Sequence, residues 1–172
     1  MYRTTTAALL MAASLTLLAE PAIYREGELT IPAGAVISGQ GSSYFSNITL
    51  GAGTDGSFRV TGATPNQLVA VDSVEVLIME SFPVKVSLAI SGALSVPCKS
   101  LLPAAISLKG NAFHVVLAES NLGPAESCIA VIEPFETTIP LEVQGLPAGD
   151  YTIDVNGVGA GFTLDADNMI PG

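Results

Sequence analysis

The chain contains one histidine, His114, and two cysteines, Cys98 and Cys128, and most enzyme chemistry would depend on these residues. A Ser–His–Asp or Cys–His site would have to use His114, because the nucleophile needs a base within hydrogen-bonding reach. His114 lies in an alternating apolar stretch typical of a strand, opposite Ser107, where a lone histidine is ordinarily a surface residue. We therefore predict that the protein is not an enzyme.

The two cysteines have a simpler structural interpretation. Zinc sites use three or four Cys, His or carboxylate ligands at close spacing, and the sequence has no such group. In an exported protein, an even pair of cysteines predicts a disulfide. A Cys98–Cys128 bond would stabilise the fold by roughly 3–4 kcal/mol in the chain-entropy model.

Three carboxylates near the C-terminus, Asp150, Asp165 and Asp167, are candidate calcium ligands, since Ca²⁺ prefers hard oxygen atoms. Their spacing does not match the EF-hand loop, and solvated sheet ends explain the same residues. No glycine-rich phosphate loop follows a strand and opens a helix. We therefore predict neither a bound metal nor a cofactor.

The strands that position these residues are best defined at the end of the chain. Asn156-Gly157 is a strong hairpin signal, because a type I′ turn needs positive φ at both positions. A turn there places Tyr151 opposite Phe162 on an apolar face, and it sets Thr152 opposite Gly161 and Asp154 opposite Gly159 on the other face. Gly110-Asn111 predicts a second hairpin, with Leu108 opposite Phe113 and Ile106 opposite Val115.

About seven short strands fit residues 72–165, spaced as in a sandwich of two sheets. The pattern Leu146-x-x-Gly149-x-Tyr151 is typical of the corner of immunoglobulin-like sandwiches, where the tyrosine bonds back to the backbone upstream. The second cysteine of a true immunoglobulin domain would stand at position 153, which is isoleucine here. The predicted fold class is all-β, an antiparallel immunoglobulin-like β-sandwich with an N-terminal β-rich extension.

The start of the chain and its charge indicate an exported protein. Arg3 followed by the apolar run 7–18 predicts a signal peptide at residues 1–22, because twelve residues are too few to span a bilayer; a buried N-terminal helix is the alternative. The net charge of −10 argues against nucleic acid. We predict three regions, residues 1–22, 23–70 and 71–168, no membrane span in the mature chain, and a secreted or periplasmic location.

Several short stretches resemble one known kind of module; they are Pro134-Phe135-Glu136, Ile139-Pro140-Leu141, residues 145–149, Asn156-Gly157-Val158 and Phe162-Thr163-Leu164. Together they resemble the C-terminal immunoglobulin-like β-sandwich of exported bacterial proteins and lipoproteins of unknown function. The resemblance covers roughly residues 72–168 and implies an extracytoplasmic sandwich of unassigned role. Unlike the lipoproteins, this chain has no anchoring cysteine.

The sequence favours two functions. The first is a non-catalytic module of the cell envelope that binds a protein or envelope component through its final strand, where Gly159 and Gly161, beside Thr152 and Asp154, leave the outer face flat. Replacement of both glycines by lysine should then leave the fold intact. The alternative is a secreted protease inhibitor that presents loops 92–100 and 119–127, each fixed by a cysteine.

Overall fold

The computed structural model describes residues 21–38, 41–124 and 126–169, and these residues form eleven strands and no helix. The predicted signal peptide lies outside the described residues except for Pro21 and Ala22. The strands form three sheets, two of four strands and one of three.

The N-terminal sheet is an antiparallel meander of four consecutive strands. Its strands are β1 (Ile23–Arg25), β2 (Glu28–Ser38), β3 (Gly41–Ala52) and β4 (Phe58–Asn66). The residues Thr64-Pro65-Asn66-Gln67 are typical of a turn and predict a boundary between the extension and the sandwich. This turn prediction is wrong, since Thr64, Pro65 and Asn66 pair with β3. Proline is compatible with this position because β4 lies at the edge of the sheet.

The remaining seven strands form a sandwich, in agreement with the predicted number. One sheet contains β5 (Ala70–Met79), β6 (Lys85–Leu94) and β9 (Glu133–Leu141). The other contains β7 (Ala105–Lys109), β8 (Ala112–Val116), β10 (Gly149–Val155) and β11 (Val158–Leu164). The strand orders are β5-β6-β9 in the first sheet and β11-β10-β8-β7 in the second. Buried apolar side chains from both sheets form one core, which includes Leu88, Ile139, Phe113, Ile153 and Phe162. The predicted all-β sandwich class is confirmed.

Both predicted hairpins have the predicted register. Tyr151 pairs with Phe162 across the Asn156-Gly157 turn, and both turn residues have positive φ. The rings of Tyr151 and Phe162 stack with their centroids 5.1 Å apart. Leu108 pairs with Phe113 across the other turn. The hydroxyl of Tyr151 also donates to the carbonyl oxygen of Pro147 at 2.8 Å, which is the predicted corner bond.

One strand pair departs from the predicted antiparallel arrangement. In an immunoglobulin-like order, the first strand of the β7–β8 hairpin would lie next to β10. Here the second strand, β8, takes that position and runs parallel to β10, with Ala112 beside Thr152 and His114 beside Asp154. Hairpin signals in a sequence report only local antiparallel pairs, so this pairing was not predicted.

Two predictions that the sequence pattern makes about strand faces are wrong. Leu77 and Met79 are apolar, as are the residues between them and before them, which predicts that both faces of β5 are covered; the two are instead 39% and 50% exposed because β5 is an edge strand. In β6, apolar residues alternate with Lys85, Ser87 and Ser91, which predicts a solvated second face. Ser87 is only 7% exposed, since β6 is the central strand of its sheet and the strands on both sides shield it.

The N-terminal sheet packs against the sandwich. Tyr44 of β3 is buried against Val116 and Ala118, and its hydroxyl donates to the carbonyl oxygen of Pro103 at 2.7 Å. The amide Nδ2 of Asn66 donates to the carbonyl oxygen of Glu119 at 3.3 Å. Apolar packing and hydrogen bonds therefore both join the two parts.

Candidate functional site

The outer face of β10 and β11 contains the four residues that the sequence singled out for partner binding. Thr152 pairs with Gly161, and Asp154 pairs with Gly159. Because residues directly opposite each other share a face, all four lie on the side away from the core, which is lined by Tyr151, Ile153 and Phe162. Thr152, Gly159 and Gly161 are exposed and Asp154 is half-buried. The predicted surface is therefore flat and accessible.

The two glycines on this face have different surroundings. A Cβ atom at Gly159 would meet no atom within 4 Å, whereas one at Gly161 would lie 2.9 Å from the carbonyl oxygen of Tyr151. Gly161 therefore permits a close approach of β11 to β10. The expectation that lysine fits at both positions is wrong for Gly161, and only Gly159 is suited to a probe of the surface.

The parallel pairing of β8 extends this face by residues that the sequence analysis assigned elsewhere. Ala112 lies beside Thr152 and His114 lies beside Asp154. His114 is half-buried and also pairs with Ser107 of β7, as predicted. The outer face is thus composed of small and polar residues, with His114 in register with Asp154 of the neighbouring strand.

β11 differs from the other edge strands of the sandwich. β5 carries Asp72 and Glu75, β7 carries Lys109, and β9 carries two prolines, Pro134 and Pro140. Charges and prolines are common protections against strand addition, and β11 has neither. However, β5 runs beside β11 at this side of the sandwich. The open surface is therefore the outer face rather than the edge.

The candidate calcium ligands are engaged in local hydrogen bonds. Oδ1 of Asp150 accepts a bond from the hydroxyl of Thr163 at 2.6 Å. Oδ1 of Asp167 accepts a bond from the backbone nitrogen of Ala148 at 2.8 Å, and Asp165 is exposed. Within the described ranges, no three or more His, Cys, Asp or Glu side chains are grouped so as to hold a metal ion.

The predicted disulfide joins Cys98 to Cys128 and closes the loop between residues 98 and 128. The buried carboxylate of Glu119 binds the residues next to Cys98. It accepts hydrogen bonds from Lys99 Nζ at 2.7 Å, Ser95 Oγ at 2.6 Å and Ser95 N at 2.8 Å. Burial favours the neutral acid, but the bonds from Lys99 and Ser95 outweigh it, so the pKa of Glu119 lies below its ordinary value. The sequence analysis placed Glu119 in an open loop and missed this role.

The exposed apolar residues near the disulfide do not lie within the predicted inhibitor loop 119–127. They follow it directly. Ile129, Val131 and Ile132 are 70%, 54% and 68% exposed. They stand between Cys128 and the first residue of β9, Glu133, which pairs with Leu94. This aliphatic segment, residues 129–132, is therefore fixed at both ends.

Two asparagines bind loops to strands from buried or half-buried positions. Asn156 contacts the backbone of Val69 and Leu117 through its side-chain amide. Asn168 is 1% exposed. Its Oδ1 accepts from Val84 N at 2.7 Å, and its Nδ2 donates to the carbonyl oxygens of Val84 at 2.9 Å and Val143 at 3.0 Å. The sequence signalled a turn at Asn156 and gave no sign of either long-range role.

In the part of the chain that the structure describes, no helix is long and apolar enough to cross a membrane. The fold and its exposed face define a β-sandwich module. The family model of the ORF11 β-sandwich domain matches residues 88–164. An uncharacterised 10.2 kDa protein from the HgiCIIM 5′ region of Herpetosiphon aurantiacus is 34% identical over 95 residues, which cover 55% of this chain and 98% of that protein. The chain belongs to the ORF11 β-sandwich domain family. No solved structure matches it significantly.

Proposed function

We propose that the protein is an extracytoplasmic, non-catalytic β-sandwich module that binds a partner protein through the outer face of β10 and β11. The observation that carries the proposal is the flat, exposed face around Gly159, which has small side chains on both strands. The disulfide supports an oxidising location, since such bonds persist outside the cytosol.

The charge of the surface favours a partner with a basic or neutral contact region. Asp150, Asp154 and Asp165 lie on or beside the outer face, and the chain as a whole carries a net charge of −10. Attraction between exposed charges weakens as salt rises. Binding should therefore be strongest at low ionic strength.

The test is a pull-down from cell-envelope extract with the parent protein and the Gly159→Lys variant. Thr138→Lys is the matched control, because Thr138 is an exposed strand residue on the other sheet. We expect at least one protein to be captured by both the parent and the Thr138→Lys control but not by Gly159→Lys. If folded Gly159→Lys keeps every partner, the outer face is not the binding surface.

Export is tested separately. N-terminal sequencing of the protein recovered from the extracytoplasmic fraction should find a chain that starts near residues 20–23. Recovery of the full chain from the cytoplasm would refute the proposed location without bearing on the binding face.

The aliphatic segment 129–132 favours a second candidate function, protease inhibition. A loop fixed at both ends loses little freedom on binding, and an extended protease cleft accepts exposed aliphatic side chains. Inhibition assays against elastase, chymotrypsin and trypsin, with parent protein and Val131→Asp, test this candidate. Activity of all three proteases unaffected by excess parent protein would rule it out.

A further inference from the structure

A cavity of about 360 Å³ lies where the N-terminal sheet meets the sandwich. One wall consists of residues from β2, β3 and β4, and the other consists of residues 102–103 and 120–121. Small-molecule sites often lie at such junctions, and their volumes start at roughly 300 Å³. The cavity shares no residue with the outer face of β10 and β11, so it is independent of the proposed function.

Hydrogen bonds between the two walls hold the cavity open in a defined shape. The hydroxyl of Tyr44 donates to the carbonyl oxygen of Pro103 at 2.7 Å, and Asn121 Nδ2 donates to the carbonyl oxygen of Pro65 at 3.1 Å. Within the first wall, the hydroxyl of Ser46 of β3 donates to Asn66 Oδ1 of β4 at 2.8 Å. A ligand would therefore meet a preformed site.

The chemistry of the lining is neutral throughout. None of the eleven described residues that line the cavity carries a charge, although the chain has a net charge of −10. Leu102, Pro32 and Pro103 supply apolar surface. This lining disfavours phosphates, carboxylates and ammonium groups, which would be partly desolvated without an opposite charge.

Several polar groups of the lining retain unused hydrogen-bonding capacity. The exposed side-chain amide of Asn47 and the half-buried hydroxyl of Thr64 make no hydrogen bond with any residue in the described ranges, and Oδ1 of the exposed Asn121 accepts none there. Together they offer donors and acceptors without charge. A ligand that uses them must itself be neutral and carry several hydroxyl or amide groups.

We propose that this cavity binds a neutral saccharide unit. The hydroxyl groups of a sugar match the amide and hydroxyl groups of Asn47, Thr64 and Asn121, and its C–H face matches the prolines and Leu102. Neutral peptides share part of this chemistry, and they form a separate arm of the test.

The test is an NMR titration of the protein with glucose, galactose, mannose or N-acetylglucosamine, and with glucuronate and a neutral Ala-Ser-Ala-Ser peptide as comparison probes. At least one neutral sugar should cause saturable shifts of the amide resonances of Ser46, Asn47, Thr64 and Asn121. Thr64→Val and Asn47→Asp should each weaken that binding by about fivefold, as the loss of one neutral hydrogen bond implies. Thr138→Val on the far sheet should leave it unchanged.

Four results would overturn the proposal: no saturable shift with any neutral sugar, shifts confined to residues outside the cavity, affinities unchanged in both folded variants, or stronger binding of glucuronate or the peptide than of every neutral sugar. Asn47 has a φ of 50°, which aspartate tolerates, and Thr64→Val keeps the side-chain shape. Both variants should therefore fold, which thermal unfolding will verify.

Discussion

The side-chain amide of Asn156 makes two hydrogen bonds with the backbone of Leu117. Its Nδ2 donates to the carbonyl oxygen at 2.8 Å, and its Oδ1 accepts from the backbone nitrogen at 3.0 Å. Nδ2 also donates to the carbonyl oxygen of Val69 at 2.9 Å. The residue that forms the β10–β11 turn thereby fixes the end of β8 and the segment that leads into β5.

Asn156→Asp should destabilise the protein by about 2–3 kcal/mol, because two carbonyl oxygens would then face an acceptor instead of a donor. Aspartate tolerates the positive φ, so the turn itself is preserved. Asn111→Asp makes the same chemical change at an exposed site whose Nδ2 donates to Asp150 O, and it should cost under about 1 kcal/mol. Urea unfolding measures both, and equal losses would refute the role given to Asn156.

Asn168→Ala should cost about 2–3 kcal/mol, because the buried Asn168 side chain loses three hydrogen bonds to Val84 and Val143. The neighbouring Asp167→Ala removes only an exposed bond from Ala148 N and should cost about 0.5–1 kcal/mol. Thermal unfolding of the two variants provides the comparison. A larger loss for Asp167→Ala would mean that the C-terminal segment is held differently.

Gly161→Ala should destabilise the protein by about 1–2 kcal/mol, because its Cβ would be forced against the carbonyl oxygen of Tyr151. Gly159→Ala lies two residues away on the same face and should change stability by under about 0.5 kcal/mol. Denaturant midpoints of the two variants test the difference. Equal effects would show that β11 and β10 are not so closely spaced at Gly161.

The ion pair of Lys99 and Glu119 predicts a pH dependence. Since the pKa of Glu119 is lowered in the folded state, its stabilising contribution is complete above the ordinary glutamate range and is lost as the pH falls through the folded-state value. Glu119→Gln should be less stable than the parent at pH 7, by about 1–3 kcal/mol. This difference in unfolding free energy between the parent and Glu119→Gln should become smaller as the pH falls and Glu119 is protonated. A gap of constant size from pH 7 to pH 2 would exclude the ionised carboxylate as its source.

The local features of this fold were predictable from the sequence. Asn156-Gly157 specifies a two-residue turn, and the alternation of apolar and polar residues on both sides determines which side chains reach the core. Together these two signals predict the register of β10 and β11. The Cys98–Cys128 pair was identified by number and chemistry alone. These predictions succeed because the interactions that decide them lie within a few residues or involve one possible pair.

Features that depend on distant neighbours were not predictable. Leu77 and Ser87 lie in similar alternating stretches, and only the position of their strands in the sheet decides that one is exposed and the other buried. Glu119 follows a buried strand, yet its carboxylate is satisfied by residues from another loop. The crowding at Gly161 depends on interstrand spacing, which a residue pattern does not report.

The parallel pairing of β8 with β10 also bears on how the sandwich can be dissected. Between these two strands the chain crosses to the opposite sheet and pairs as β9 with β6. The strand that completes the three-stranded sheet therefore lies within the connection from β8 to β10, so neither sheet is a continuous segment of the chain. We expect the two sheets to fold as one cooperative unit for this reason. No fragment shorter than β5 to β11 should fold, and a circular permutant opened between β8 and β9 should fold more slowly than the parent.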